Sequence, residues 1–115
     1  MQSTISLDWP GDSDLRQVGT LVLGGVAART DAPVDRVEEL GFALDSLARE
    51  AGDVRVQLDI AVADDRLVAT IGPFEADPLA DDALRRVIAG LTDEAATDER
   101  DGVHRVALTV RLPRE

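Results

Sequence analysis

Between Asp53 and Ala63 the residues alternate with little ambiguity, and this constrains the fold more than any other stretch of the chain. Val54, Val56, Leu58, Ile60 and Val62 fall on one side of an extended segment, and Arg55, Gln57 and Asp59 on the other. Successive side chains of a strand point to opposite faces, so this period predicts a half-buried β-strand. Asp64-Asp65 supplies a tight turn, and Arg66 to Ile71 returns as a second strand of an antiparallel hairpin. One face of such a hairpin is apolar and must be covered. The neighbouring segments have the helical periodicity to cover it.

Thr4 to Trp9 also alternates, with Ile5, Leu7 and Trp9 on one face, and Pro10-Gly11 ends it. Asp12 or Ser13 can cap a helix in which Leu15, Val18, Val22 and Val26, with Leu21 beside them, recur to about Ala28. Gly24-Gly25 falls inside it. Each glycine costs roughly 1 kcal/mol against alanine in a helix, which implies that the pair allows close packing of a neighbour. Pro33 to Ala51 forms the next helix, with Val34, Val37, Gly41, Leu44 and Ala48 as the expected inward stripe. Asp35, Glu38 and Glu39 complement its positive end, and Arg49 and Gly52 mark its stop.

After the hairpin, Gly72-Pro73 is expected to break the strand, and Phe74 to Asp82 reads as a short acidic loop. Ala83 to Leu91 reads as a helix with Leu84, Val87, Ile88 and Leu91 inward and Arg85 and Arg86 outward. Glu94 to Asp98 is a weak strand, Asp101-Gly102 a turn, and His104 to Leu112 a strong strand burying Val106, Leu108, Val110 and Leu112. The order is strand, helix, helix, hairpin, helix, hairpin. It predicts an α/β (α+β) two-layer sandwich in one domain spanning residues 1–115, with helices on one face of a mixed, mostly antiparallel sheet.

Composition removes several function classes. The chain has 115 residues and no cysteine, which excludes disulfides and thiolate metal sites, and a single histidine cannot build an ordinary zinc site. No metal and no cofactor are expected. Twenty-three acidic residues oppose twelve basic ones, all arginine, for a net charge of −11. Nucleic-acid affinity comes largely from cationic neutralisation of phosphates, so this balance argues against a nucleic-acid partner. A GC-rich genome, a salt-adapted host and an acidic surface built to meet a basic partner all account for it. No apolar run approaches the roughly 20 residues of a membrane span, and no basic-then-apolar leader opens the sequence. The expected location is the cytoplasm, without membrane attachment.

Four pieces carry a resemblance: the opening strand with its Pro10-Gly11 exit; the helix pair around DLRQVGTLVLGGVAA and VDRVEELGFALDSLA; the hairpin VRVQLDIAVADDRLVATIGP; and the closing ALRRVIAGLTDEAATDERDGVHRVALTVRL. In this order they resemble the histidine-kinase-like ATPase fold, in the small version found in bacterial anti-sigma-factor serine kinases. The resemblance covers nearly the whole chain. It implies three nucleotide-binding features, and each is degenerate here. The glutamate base and the magnesium-holding asparagine of the second helix correspond to Ser46 and Glu50, and serine does not take a proton near neutral pH as a carboxylate does. The adenine-binding D-x-G-x-G corresponds to Thr70-Ile71-Gly72-Pro73-Phe74, which keeps one glycine and lacks the aspartate. The glycine-rich phosphate lid falls between Phe74 and Ala83, where there is no glycine and Glu75, Asp77, Asp81 and Asp82 stand instead.

What the resemblance implies is therefore a non-catalytic regulatory domain, similar to anti-sigma factors of partner-switching systems, that has kept the scaffold and abandoned ATP. Its expected partner is a sigma factor or an anti-sigma antagonist, and homodimerisation is a family habit. Arg16, Gln17 and Thr20, together with Glu75 and Asp77 of the acidic loop, are the candidate contact residues. The alternative is a residual nucleotide or small-ligand site near Ser46, Glu50, Thr70 and Gly72, with weak or no kinase activity. An unrelated enzyme has little to recommend it. Asp64-Asp65 and Asp81-Asp82 lie in turns, where aspartate is favoured for backbone reasons. His104 has no serine or cysteine nucleophile nearby in the sequence, and Trp9 reads as a core or sheet-edge residue.

Overall fold

The central alternation folds into two neighbouring strands, β2 (Val56–Val62) and β3 (Arg66–Phe74), paired antiparallel from Val62↔Leu67 to Gln57↔Gly72. The structure, a computed structural model, describes residues 3–9, 25, 33–51, 56–63 and 65–112. The hairpin closes with the Ala63 amide donating to the Arg66 carbonyl at 2.9 Å. Val56, Leu58 and Ile60 are buried as the alternation requires, while Gln57 is exposed.

Three further strands complete the sheet: β1 (Ser3–Trp9), β4 (Glu94–Arg100) and β5 (Val103–Arg111), in the order β1-β2-β3-β5-β4. Every pairing among them is antiparallel, so the expected mixed sheet is corrected to an antiparallel one. β1 places Ile5, Leu7 and Trp9 opposite Ile60, Leu58 and Val56, in the register its own alternation predicts, and Ser6 is exposed. β4 runs two residues further than its weak pattern suggested. Asp101 (φ 54°) and Gly102 (φ 78°) join it to β5, the left-handed pair that a two-residue hairpin turn demands.

Among the described residues two helices pack on one face of this sheet, α1 (Val34–Ala51) and α2 (Asp82–Leu91). The result is a two-layer α+β arrangement. The core lies between the layers: Val37, Leu40, Ala43, Leu44 and Leu47 of α1 and Ile88 of α2 meet Val56, Leu58, Ile60, Leu67, Ala69, Ile71, Val106, Leu108 and Val110. The expected α1 stripe is wrong by about a quarter of a turn. Val34 is 67% exposed, while Leu40, Ala43 and Leu47, outside that stripe, are fully buried. In α2, Ile88 is buried and Leu84 and Leu91 are packed against the core, but Val87 is 49% exposed and does not face inward.

Gly72-Pro73 does not end β3. The strand continues to Phe74, which is buried and pairs with His104, and the register shifts between Ile71 and Phe74. The shift absorbs the proline, which has no N–H to give the ladder. Gly25 is helical and exposed, and a Cβ added there would meet no atom of the described residues within 4 Å. Gly24 and the segments 10–24 and 26–32 that flank Gly25 lie outside the described residues, so the expected close packing of the glycine pair lies outside them too. No helix among those described is long and apolar enough to cross a membrane.

Candidate functional site

The residues that correspond to a nucleotide site do not come together. Ser46 and Glu50 are on α1, outside its buried stripe; Ser46 donates its hydroxyl to the Phe42 carbonyl of its own helix at 3.0 Å, and Glu50 is exposed. Thr70 alternates with Ala69 and Ile71, both fully buried beneath the helices, so it belongs to the opposite face of the sheet. The expected cleft shared by Ser46, Glu50, Thr70 and Gly72 is therefore corrected: the sheet itself separates α1 from Thr70.

Gly72 is occupied by the fold. A Cβ there would lie 2.9 Å from the His104 carbonyl oxygen and 2.9 Å from Cγ of Arg105. The missing side chain lets β5 approach β3 at the register shift, and it leaves no space beside the backbone for an adenine ring. Phe74 fills the core two residues further on.

The acidic segment is a capped connector. Asp77 accepts from the Leu79 amide at 2.9 Å and caps a short 3-10 turn, Pro78–Ala80. The same Asp77 oxygen accepts from the Thr97 hydroxyl of β4 at 2.7 Å. Asp81 accepts from the Ala83 and Leu84 amides and caps α2. An N-cap oxygen satisfies backbone donors that have no partner within the helix. Asp82 bonds Arg85 within α2 at 3.0 Å. Two of the four carboxylates thus hold backbone, which revises Asp77 from an open contact residue to one committed inside the fold. Glu75 remains exposed. Arg16, Gln17 and Thr20 lie outside the described residues.

One polar node among the described residues is one the sequence did not announce. The carboxylate of Asp93, between α2 and β4, accepts from the backbone amide of Arg111 at 2.6 Å and from the Arg36 guanidinium of α1 at 2.6 Å. Arg36 also reaches Glu39 at 3.0 Å. One carboxylate so ties α1, the α2–β4 junction and β5. The Arg111 amide holds the Asp93 carboxyl below its ordinary value of 3.8; partial burial opposes this, and the Arg36 bond and both arginine charges add to it. A depressed folded pKa stabilises the fold above the unfolded value, and that stability is lost as pH falls through the folded one. Asp93→Asn is expected to lower unfolding free energy by about 1–2 kcal/mol at neutral pH. The difference from wild type should vanish in acid, as read from urea midpoints across a pH series.

His104 is mostly buried, with Nε2 3.4 Å from a Glu99 oxygen and Nδ1 without a hydrogen-bond partner among the described residues. It sits in β5 opposite Phe74. Among the described residues no three histidine or carboxylate side chains converge as metal ligands. A shallow concavity of about 280 Å³ lies at the far end of the sheet, lined by Asp65, Arg66, Glu94, Thr109, Arg111 and Leu112. None of the expected cleft residues borders it. No protein-family model matches the chain, and no curated protein matches it.

Proposed function

We propose that this chain is a non-catalytic regulatory domain that acts by binding another protein, in the manner of anti-sigma factors of partner-switching systems, and that it does not use ATP. The finer fold assignment, a histidine-kinase-like ATPase scaffold, belongs to the same proposal. The observation that carries it is the dispersal of the nucleotide positions. Thr70 is on the far face of the sheet from α1, Gly72 is closed by β5, and the lid segment is spent on capping 3-10 and helical backbone. A magnesium-bound triphosphate has neither a cradle of amides nor a base-recognising carboxylate on these residues. Function must be argued from the site, and the scatter of these positions supports a reading without phosphoryl transfer.

The test has two arms. In thermal denaturation with ATP or ADP and Mg²⁺, a ligand that binds only the native state raises stability by RT ln(1 + [L]/Kd), about 2.7 kcal/mol at a hundredfold excess over Kd. No shift is expected up to millimolar nucleotide, and a saturable shift would return the residual nucleotide site to first place. Titration calorimetry against purified sigma factors and anti-sigma antagonists of the source organism is then expected to find one binder. Absence of any complex with both classes would sink the regulatory role.

A further inference from the structure

Resting on the reading that this chain acts by binding another protein, we propose that the exposed ridge of α1 docks an amphipathic, arginine-bearing helix of that partner. Val34, Glu38 and Phe42 stand four residues apart along one line of the helix, and all three are exposed. Val34 is 67% and Phe42 64% exposed, so two of the three large apolar side chains that the described residues leave in solvent share this line. At about 100° per residue, Phe42 lies nearly opposite the buried Leu40, Leu44 and Leu47. It points away from the core.

Apolar residues scattered singly over a surface call for no partner. Here two of them bracket a carboxylate and lie eight residues apart, about 12 Å along the axis at 1.5 Å per residue. That is roughly two helical turns. It matches the interval between successive apolar anchors of another helix laid along α1.

The charges around this line fix the chemistry of the occupant. α1 holds five carboxylates and two arginines. Both arginines are engaged within the chain, Arg36 by Glu39 and Asp93 and Arg49 by Asp45. Asp35 and Glu38 are exposed and pair with no cation among the described residues. One turn from Phe42 stand Glu38, Glu39, Asp45 and Ser46, so the aromatic ring is set among carboxylates. A purely apolar helix would desolvate these charges without pairing them, at a cost in binding. A second copy of the ridge would bring carboxylate to carboxylate. An arginine answers both features: its guanidinium stacks on an aromatic face and forks onto a carboxylate, as a lysine ammonium does not.

The probe is a labelled peptide of about 18 residues, built of leucine, alanine and arginine with the leucines on one helical face, and a twin with glutamate for every arginine. Titrated with the full chain at about 0.15 M salt, where distant charges are screened, the arginine peptide is expected to bind and its twin is not. Phe42→Ser should weaken binding by roughly tenfold or more and leave the urea midpoint unchanged, because an exposed side chain supports no core. Glu38→Lys should weaken it about tenfold. Asp98→Lys makes the same change in net charge on the sheet face away from the helices, where Asp98 stands across from Arg105, and should alter binding by less than about twofold. Binding of both peptides alike, of neither up to millimolar concentration, or an equal loss from Glu38→Lys and Asp98→Lys would overturn the proposal. So would a lowered urea midpoint in Phe42→Ser, which would mean that the chain itself covers this ridge.

The regulatory role fails separately. In calorimetry against sigma factors and anti-sigma antagonists, a complex indifferent to Phe42→Ser would remove the docking surface and leave that role intact. Peptide binding on the ridge with no complex of either class would do the reverse.

Discussion

Truncating Ile88 to alanine is expected to lower the unfolding free energy by about 2–4 kcal/mol, the largest effect of any single change considered for this chain. Ile88 is the one fully buried residue of α2. Leu84 and Leu91 pack beside it but remain partly exposed, so neither replaces its contacts. Domains of this size are stable by only about 5–15 kcal/mol, so the loss is a large share of the total. Its consequences are not confined to α2. The helix begins at the Asp81 cap, the preceding turn at the Asp77 cap, and Asp77 also holds Thr97 of β4. A cavity under Ile88 should therefore raise hydrogen exchange through residues 77–91 before the rest of the fold. Val87→Ala is the control. Val87 is 49% exposed, and its loss should change stability by less than about 0.5 kcal/mol. Equal effects from the two, measured by urea denaturation, would mean that α2 is rotated from the orientation described.

That contrast also shows where periodicity could and could not be read. Strands were legible because a period of two has only two phases, and Val56, Leu58 and Ile60 fit one of them alone. Helices were legible in extent but not in phase. In α1, apolar residues occur around most of the cylinder, and the sequence offers both Val34-Val37-Gly41-Leu44-Ala48 and Val37-Leu40-Leu44-Leu47. Only the sheet beneath decides between them, and it selects the second by burying the larger side chains. The acidic segment misled for a different reason. Asp77 and Asp81 read as surface charge in a list of carboxylates, whereas each is placed two residues before an amide that it caps. Asp93 gave no signal at all, since its partners Arg36 and Arg111 are distant in sequence and meet it only through the fold. For the nucleotide positions, residue types were readable and their dispersal was not: the side of the sheet that Thr70 occupies depends on β3 register.

Replacing Gly72 by alanine should destabilise by about 1–2 kcal/mol, and replacing Gly90 by alanine should do the opposite. The two substitutions add the same methyl group and share the same gain from a stiffer unfolded chain, about 0.4–1 kcal/mol. At Gly72 the new carbon meets the His104 carbonyl oxygen and Cγ of Arg105 at 2.9 Å and Cα of Arg105 at 3.2 Å. Two of those three are backbone and cannot swing aside, so β5 must shift where it pairs Phe74 with His104. Overpacking of this kind costs typically 1–3 kcal/mol, which outweighs the unfolded-state gain. At Gly90, inside α2, nothing among the described residues lies within 4 Å of the added carbon, and alanine is the better helix former by up to about 1 kcal/mol. Opposite shifts in the urea midpoint are the expected result. The sign at Gly72 separates two explanations of why glycine stands there. A glycine kept to admit an adenine ring would leave open space beside it and tolerate a methyl group when no nucleotide is present, whereas a glycine kept to seat β5 against β3 would not. A neutral or stabilising Gly72→Ala would reopen the space that the proposed function requires to be closed.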